Sequence, residues 1–290
     1  MSEPHPLDAS ILREYDIRGI FYSTLKTDDV NAIGRAFGTI LSQRLPDSEE
    51  APTVAVGYDG RLSSPELEAA LVEGLTSCGV KVTRVGLGPT PMLYYATHFL
   101  DTDAGMMITG SHNPAEFNGI KMVLEGKSFF GADIQKLGQV ASSGDFVSGS
   151  GEVTDHPILD DYVKRVLQDF NDSKPLTVAW DPGNGAAGDA TRMLTDVLPG
   201  RHILLNAEID GTFPAHHPDP TVEKNPEQLK QTVADEQCDL GIAFDGDGDR
   251  IGVVDNLGRV LWGDQLIAIF AGEVLEELPG STIIADVKAS

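Results

Sequence analysis

The stretch AFDGDGDRIGVV at 243–254 sets three carboxylates, Asp245, Asp247 and Asp249, at alternating positions, separated by glycines and preceded by an apolar run. Carboxylates crowded into one tight loop repel one another unless a cation offsets them, and a hard divalent ion such as Mg²⁺ takes oxygen ligands of this kind. The plain alternative is a polar Asp-Gly turn between two strands. An EF-hand loop fails, because it needs glycine where Arg250 stands and glutamate where Asn256 stands. Arg250, directly after the third aspartate, suits a site whose remaining metal ligand is a phosphate oxygen that needs a second positive partner.

A second segment, MITGSHNPAEFNGIK at 107–121, runs from an apolar strand into Gly110, Ser111, His112, Asn113 and Pro114. Ser111 beside His112 does not make a hydrolase dyad, since neighbours on an extended loop point apart and no G-x-S-x-G elbow occurs. A serine that carries a phosphoryl group fits better. Phosphoserine supplies the anionic ligand that three aspartates leave open on Mg²⁺, so Ser111, Asp245, Asp247 and Asp249 are the candidate metal ligands. Lys121, in the strand that follows, can reach the same centre.

The best rival is Gly183-Asn184-Gly185-Ala186-Ala187-Gly188, which follows the strand-like LTVAW, opens a helix and has Glu208 further on. In form this meets the dinucleotide fingerprint of a hydride-transferring oxidoreductase. The same glycines also serve a tight strand-to-helix turn, and a dinucleotide would leave the aspartates and the serine unexplained. Gly126-Lys127-Ser128 imitates the end of a phosphate-binding P-loop but has Lys121 where the first glycine belongs. His216 and His217, in PAHHPDP, have no further histidine at helpful spacing and read as part of a stiff loop.

The elements that must carry these loops alternate between strand and helix patterns. Strands are expected at 53–57, 81–86 and 104–110, with a helix opened by Ser64 as N-cap and Pro65 at its first position, and a short helix at 92–99. A Ser/Gly-rich stretch at 141–151 marks a boundary. The pattern then restarts with a helix at 158–170, strands at 176–180, 202–206 and 239–244, and helices after Gly185 and at 226–236. A helix at 264–277 and a strand at 282–287 read as the opening of a third unit, cut off at residue 290. The fold class is therefore α/β: two consecutive mixed, mostly parallel three-layer αβα domains at 1–156 and 157–259, with the start of a third at 260–290. Ligands in such folds bind at the carboxyl ends of strands.

Of 290 residues 41% are hydrophobic, and no apolar run approaches the roughly eighteen residues a membrane helix needs. The N-terminal MSEPHPLDAS lacks the features of a secretion signal, which points to the cytoplasm and away from a membrane partner. Acidic residues number 45 against 21 basic, a net charge of −24, which opposes nucleic-acid binding. The two cysteines, Cys78 and Cys238, read as packing residues.

TGSHNP, DGDGDR and YDIRG at 15–19 together resemble the α-D-phosphohexomutase superfamily, most closely its bacterial phosphomannomutase/phosphoglucomutase branch. The likeness extends through VGYDGRLSSPEL at 56–67, PTP at 89–91, NGIK at 118–121, DPGNGAAG at 181–188, DGTFPAHHPDP at 210–220 and DVKAS at 286–290. The resemblance implies an enzyme that interconverts mannose or glucose 1-phosphate and 6-phosphate through a phosphoserine at Ser111 and a bisphosphorylated sugar, with Mg²⁺. It also implies that Lys121 and Arg18 position the attacking hydroxyl and handle its proton, Arg18 in a positioning role given its high pKa, and that His112 and Arg250 steady the phosphoserine. The family's sugar-selecting and phosphate-binding loops belong to two later domains whose motifs this chain does not carry, so the resemblance implies little activity from these residues alone.

Overall fold

The computed structural model describes residues 3–45, 50–170, 174–287 and 289. A first sheet gathers β1 (Ile17–Ile20), β2 (Thr53–Tyr58), β3 (Lys81–Leu87), β4 (Ala104–Ile108), β5 (Phe117–Leu124), β6 (Lys127–Ser128) and β7 (Val153–Asp155). Its order is β1-β5-β4-β2-β3-β7, with β6 on β5; β4, β2, β3 and β7 run parallel, while β5 is antiparallel to β4 and β1. Helices α1 (Thr27–Arg44), α2 (Ser64–Thr76), α3 (Thr90–Phe99), α4 (Ala132–Ser143) and α5 (Leu159–Gln168) lie along it.

Successive side chains of a strand point to opposite faces, and this sheet buries both. Val54 and Val56 of β2 and Met106 and Ile108 of β4 join the large core with α1, α2 and α4. Ala55 and Met107, one residue out of phase, join a second core with Met92, Leu93 and Ala96 of α3 and with Ile158. Burial on both faces is why the strands read as continuous apolar runs rather than alternating ones.

A second sheet holds β8 (Leu176–Asp181), β9 (Gly200–Leu204), β10 (Leu240–Phe244), β11 (Ile251–Asp255) and β12 (Val260–Leu261) in the order β12-β11-β10-β8-β9. β10, β8 and β9 are parallel, and β11 and β12 are antiparallel. Helices α6 (Gly188–Thr195), α7 (Glu227–Asp235) and α8 (Gly263–Glu277) complete the chain. Leu229 and Val233 of α7 pack with Ala179, Ala243, Val254 and Cys238. Both cysteines are free and buried. Among the described residues no helix is long and apolar enough to cross a membrane.

Four local expectations shift. Ser64 is the first residue of α2 rather than its cap, because its hydroxyl donates to Asp59 Oδ1 (2.6 Å) and accepts from Asn118 Nδ2 (2.9 Å). β9 begins at Gly200, two residues before the apolar HILLN, where glycine takes φ +118° against Leu176. The Ser/Gly-rich stretch does not leave the first sheet: Gly149 and Gly151 donate to Ser77 and Thr76 carbonyls (2.9 and 2.8 Å) and lead into β7. Residues 282–287 form no strand, since no neighbour among the described residues offers a ladder, and Ile284 and Val287 stay exposed. Helices α1 and α4 are additions to the expected elements.

Helices α1 and α2 cross where Gly34 meets Gly74. A Cβ on Gly74 would lie 2.2 Å from the Asn31 carbonyl oxygen, and one on Gly34 would lie 2.6 Å from that of Leu71. In the second domain, Asp181 at the end of β8 is fully buried. It accepts from Gly183 N and Asn206 Nδ2 (3.0 Å each) and pairs with His216 Nε2 (2.8 Å), tying the 210–220 loop to the sheet. The Asp181 hydrogen bond raises the His216 pKa above 6.5, against the opposing effect of burial.

Two outcomes follow from these contacts. Gly74→Ala destabilises the fold by about 1–3 kcal/mol through overpacking, whereas Gly272→Ala in α8, with open space around it, is neutral or stabilising by up to about 1 kcal/mol, as urea unfolding reads directly. Because the folded His216 titrates above its ordinary value of 6.5, its contribution is complete below that value and is lost as pH rises through the raised one. The melting-temperature advantage of the native protein over His216→Gln therefore shrinks with rising pH; an advantage that grows would contradict the pairing.

Candidate active site

The carboxyl ends of β4 and β10 bring the two motifs together. Ser111 follows β4 with φ +48°, a left-handed conformation uncommon outside glycine, and its amide donates to Thr109 Oγ1 (2.8 Å). The strained turn aims the hydroxyl across the domain junction, where Ser111 Oγ donates to Asp245 Oδ2 at 2.9 Å. Ser111 is 2% exposed, and Asp245 and Asp247 have no exposure at all.

The aspartate loop is wound around Asp245. Its Oδ1 accepts from the amides of Asp249 and Arg250 (3.1 Å each), and its carbonyl accepts from Gly248 N (3.0 Å). Asp247 is held by Thr90, the first residue of α3: Thr90 Oγ1 donates to Asp247 Oδ2 (2.5 Å) and Thr90 N donates to the Asp247 carbonyl (2.7 Å). Lys121 Nζ on β5 bridges Asp247 Oδ2 (2.6 Å) and Asp249 Oδ2 (2.5 Å).

Burial, then the charges of Asp247 and Asp249, pushes the Asp245 pKa up to about 8. Asp247 goes the other way, to about 2: burial opposes this, but Lys121 and the Thr90 hydrogen bond overcome it. Lys121 is raised, its burial outweighed by the two carboxylates. His112 is lowered by burial and by Arg250.

One carboxylate oxygen from each of Asp245, Asp247 and Asp249 lies within 4.8 Å of the other two, and Asp247 Oδ1 is buried with no hydrogen-bond partner. Hard oxygen donors that converge on one point with an unpartnered lone pair fit a divalent cation.

Above the loop opens a cavity of about 620 Å³, whose walls include Arg18, Ser111, His112, Lys121, Asp249 and Arg250. Asp245 and Asp247 are bonded to two of these wall residues, Ser111 and Lys121, so the eight residues read from the sequence lie in one region. His112 Nδ1 is 3.4 Å from Ser111 Oγ, and Arg250 Nε is 4.0 Å from Asp245 Oδ2. Arg18, 3% exposed, donates from Nη1 to the Thr109 carbonyl (2.8 Å) and pairs with Asp16. Tyr94 and Arg13, which also line the cavity, and Thr90 beneath it were not singled out from the sequence. Thr90 was visible only as part of the PTP motif; Tyr94 and Arg13 carry no local signal.

The glycine loop has another task. Ala186 N donates to the Gly246 carbonyl (2.9 Å), and a Cβ on Gly185 would lie 2.8 Å from that same oxygen. The backbone surface that would cradle a pyrophosphate is packed against the aspartate loop, so the dinucleotide-binding oxidoreductase reading is corrected.

Comparison with known proteins agrees. Residues 9–148 match the family described as phosphoglucomutase/phosphomannomutase, alpha/beta/alpha domain I, and residues 160–258 match its domain II. The phosphomannomutase/phosphoglucomutase of Pseudomonas aeruginosa is 46% identical over 284 residues, covering 98% of this chain and 60% of that protein. The phosphoglucomutase of Neisseria meningitidis is 38% identical over 282 residues, covering 97% and 60%. A crystal structure of a phosphoglucomutase/phosphomannomutase family protein from Burkholderia thailandensis superposes with a TM-score of 0.89 at 39% identity, covering 95% of this chain and 61% of that one. The chain thus spans about 60% of the length of the curated relatives it matches. With both domain descriptions matched in order along the chain, it belongs to the α-D-phosphohexomutase superfamily, in the phosphoglucomutase/phosphomannomutase family.

Proposed function

We propose that this chain supplies the phosphoryl-transfer centre of a cytoplasmic mutase that interconverts the 1-phosphate and 6-phosphate of mannose or glucose. The observation that carries this reading is Ser111 Oγ at 2.9 Å from Asp245 Oδ2 in a cluster of three carboxylates, two of them buried, beside a cation-lined cavity large enough for a phosphosugar. We take residues 1–156 as the serine-bearing domain, 157–259 as the aspartate-bearing domain and 260–290 as the start of a third.

In this reading Ser111 is the phosphoryl carrier. Its phosphoryl group passes to the free hydroxyl of the sugar monophosphate, the bisphosphate turns over in the cleft, and the other phosphoryl group returns to Ser111 Oγ. Mg²⁺ would be held by Asp245, Asp247, Asp249 and an oxygen on Ser111, and it offsets charge on the transferring group. Lys121 places a cation beside the same group from the opposite strand. Arg18, anchored on the Thr109 carbonyl, orients the attacking hydroxyl; as a guanidinium it holds its proton and does not serve as a base. His112, 3.4 Å from Ser111 Oγ, and Arg250, on the wall of the same cavity, steady the phosphoserine. Thr90 fixes the Asp247 carboxylate through Oδ2 and leaves its buried Oδ1 without a hydrogen-bond partner.

Incubation with glucose 1,6-bisphosphate and Mg²⁺ yields a chain one phosphate heavier by intact mass, and Ser111→Ala does not gain that mass. Transfer to another residue would overturn the assignment. Calorimetry of Asp247→Ala shows Mg²⁺ binding weakened by about tenfold or more. Unchanged affinity would remove Asp247 from the ligand set.

A further inference from the structure

Arg61 heads the fully buried side chains by volume, yet it touches neither the cavity nor the carboxylate triad. Its guanidinium has five N–H groups, and all five are used. Nη1 donates to the carbonyls of Pro114 (2.5 Å) and Phe117 (2.9 Å), and Nη2 to those of Ser111 (2.8 Å) and Asn113 (2.7 Å). Nε donates to Asp59 Oδ2 at 3.2 Å. Asp59 in turn accepts from Gly110 N (3.0 Å), so one ion pair grips the serine loop before and after Ser111. The fit is close: a Cβ on Gly110 would lie 2.1 Å from Arg61 Nε.

The other face of the guanidinium meets the second domain. Arg61 Cζ lies 5.1 Å from the centre of the Phe213 ring, a cation–π distance, and Phe213 itself takes φ +51°. Phe213 also lies beside the aspartate loop, its Cζ 3.5 Å from where a Cβ of Gly246 would stand. That same Cβ would lie 2.5 Å from the Ser111 carbonyl oxygen, the atom that Arg61 Nη2 holds. Beside it, Gly211 closes on the Gly60 carbonyl and the Leu62 amide, each 2.6 Å from its would-be Cβ.

We propose that Arg61 is a positioning residue for phosphoryl transfer, and that Arg61 with Phe213 sets the register of Ser111 against the aspartate loop across the domain junction. This rests on the reading of Ser111 as phosphoryl carrier. The left-handed turn at Ser111 is held by carbonyl contacts that a single planar fork supplies, and lysine, a point donor on a flexible stem, cannot reproduce them. A shift of the hydroxyl by a fraction of an ångström leaves the cavity and the three aspartates intact but misaligns the reacting oxygen.

The test is single-turnover transfer from glucose 1,6-bisphosphate to Ser111, followed by intact mass with Mg²⁺ present, on the native chain, Arg61→Lys and Phe213→Leu. Each is assayed where circular dichroism shows it folded. The expected result is a limiting rate about 100-fold lower for Arg61→Lys and about tenfold lower for Phe213→Leu, with the half-saturating donor concentration and the Mg²⁺ affinity within about threefold of native. A merely structural role would lower the melting temperature and leave the limiting rate of the folded protein unchanged. An Arg61→Lys limiting rate within about threefold of native, or a loss seen only as weaker donor binding, overturns the inference. If Arg61→Lys does not fold, Phe213→Leu decides by the same two outcomes. A native chain that accepts no phosphoryl group overturns the reading of Ser111, and this inference with it, whereas a native chain that does so confines any failure to Arg61.

Discussion

Three carboxylates with donor oxygens inside 4.8 Å of one another, two of them without solvent exposure, form an arrangement that a folded protein keeps only if positive charge is built around it. Lys121 comes from β5, Arg18 from β1 and Arg250 from the loop itself. Burial and the charges of its two neighbours push Asp245 up, while Lys121 and Thr90 pull Asp247 down against its burial, so the like charges are a frustration that the aspartate loop does not resolve alone. A chemistry that brings a divalent cation and a mobile phosphoryl group to this point uses that frustration instead of relieving it by neutral packing.

The two domains repeat one architectural idea. Each ends a parallel strand in a loop of reactive residues, and each uses glycine where backbones must touch. The serine loop and the aspartate loop meet face to face, with Gly246 against the Ser111 carbonyl and Ala186 against the Gly246 carbonyl. The glycine motif at 183–188, which could have served a dinucleotide, instead supports the aspartate loop from behind. A pattern of glycines tells where backbones come close; what they come close to is a tertiary matter.

The same distinction governs what could be read in advance. The aspartates and the serine loop were legible because their chemistry lies in contiguous residues, and β2, β4 and β10 because apolar strands announce themselves over a few positions. Helix α1 escaped notice since Gly34 and Gly38 interrupt its apolar face exactly where α2 and Cys78 pack against it. Ser64 looked like a cap, but its hydroxyl is claimed by Asn118, 54 residues away. Thr90 reaches Asp247 across 157 residues and Arg61 reaches Ser111 across 50, so no local pattern could assign their partners. The candidate site residues were visible; those that hold them in place were not.

In the proposed function Ser111 and the three aspartates share one metal ion when the serine carries its phosphoryl group. Electron–nuclear double resonance on the Mn²⁺-loaded, phosphorylated chain measures this directly. The expected result is a phosphorus coupling to the bound Mn²⁺ that vanishes in Ser111→Ala. Mn²⁺ bound at the aspartates with no phosphorus coupling would contradict it.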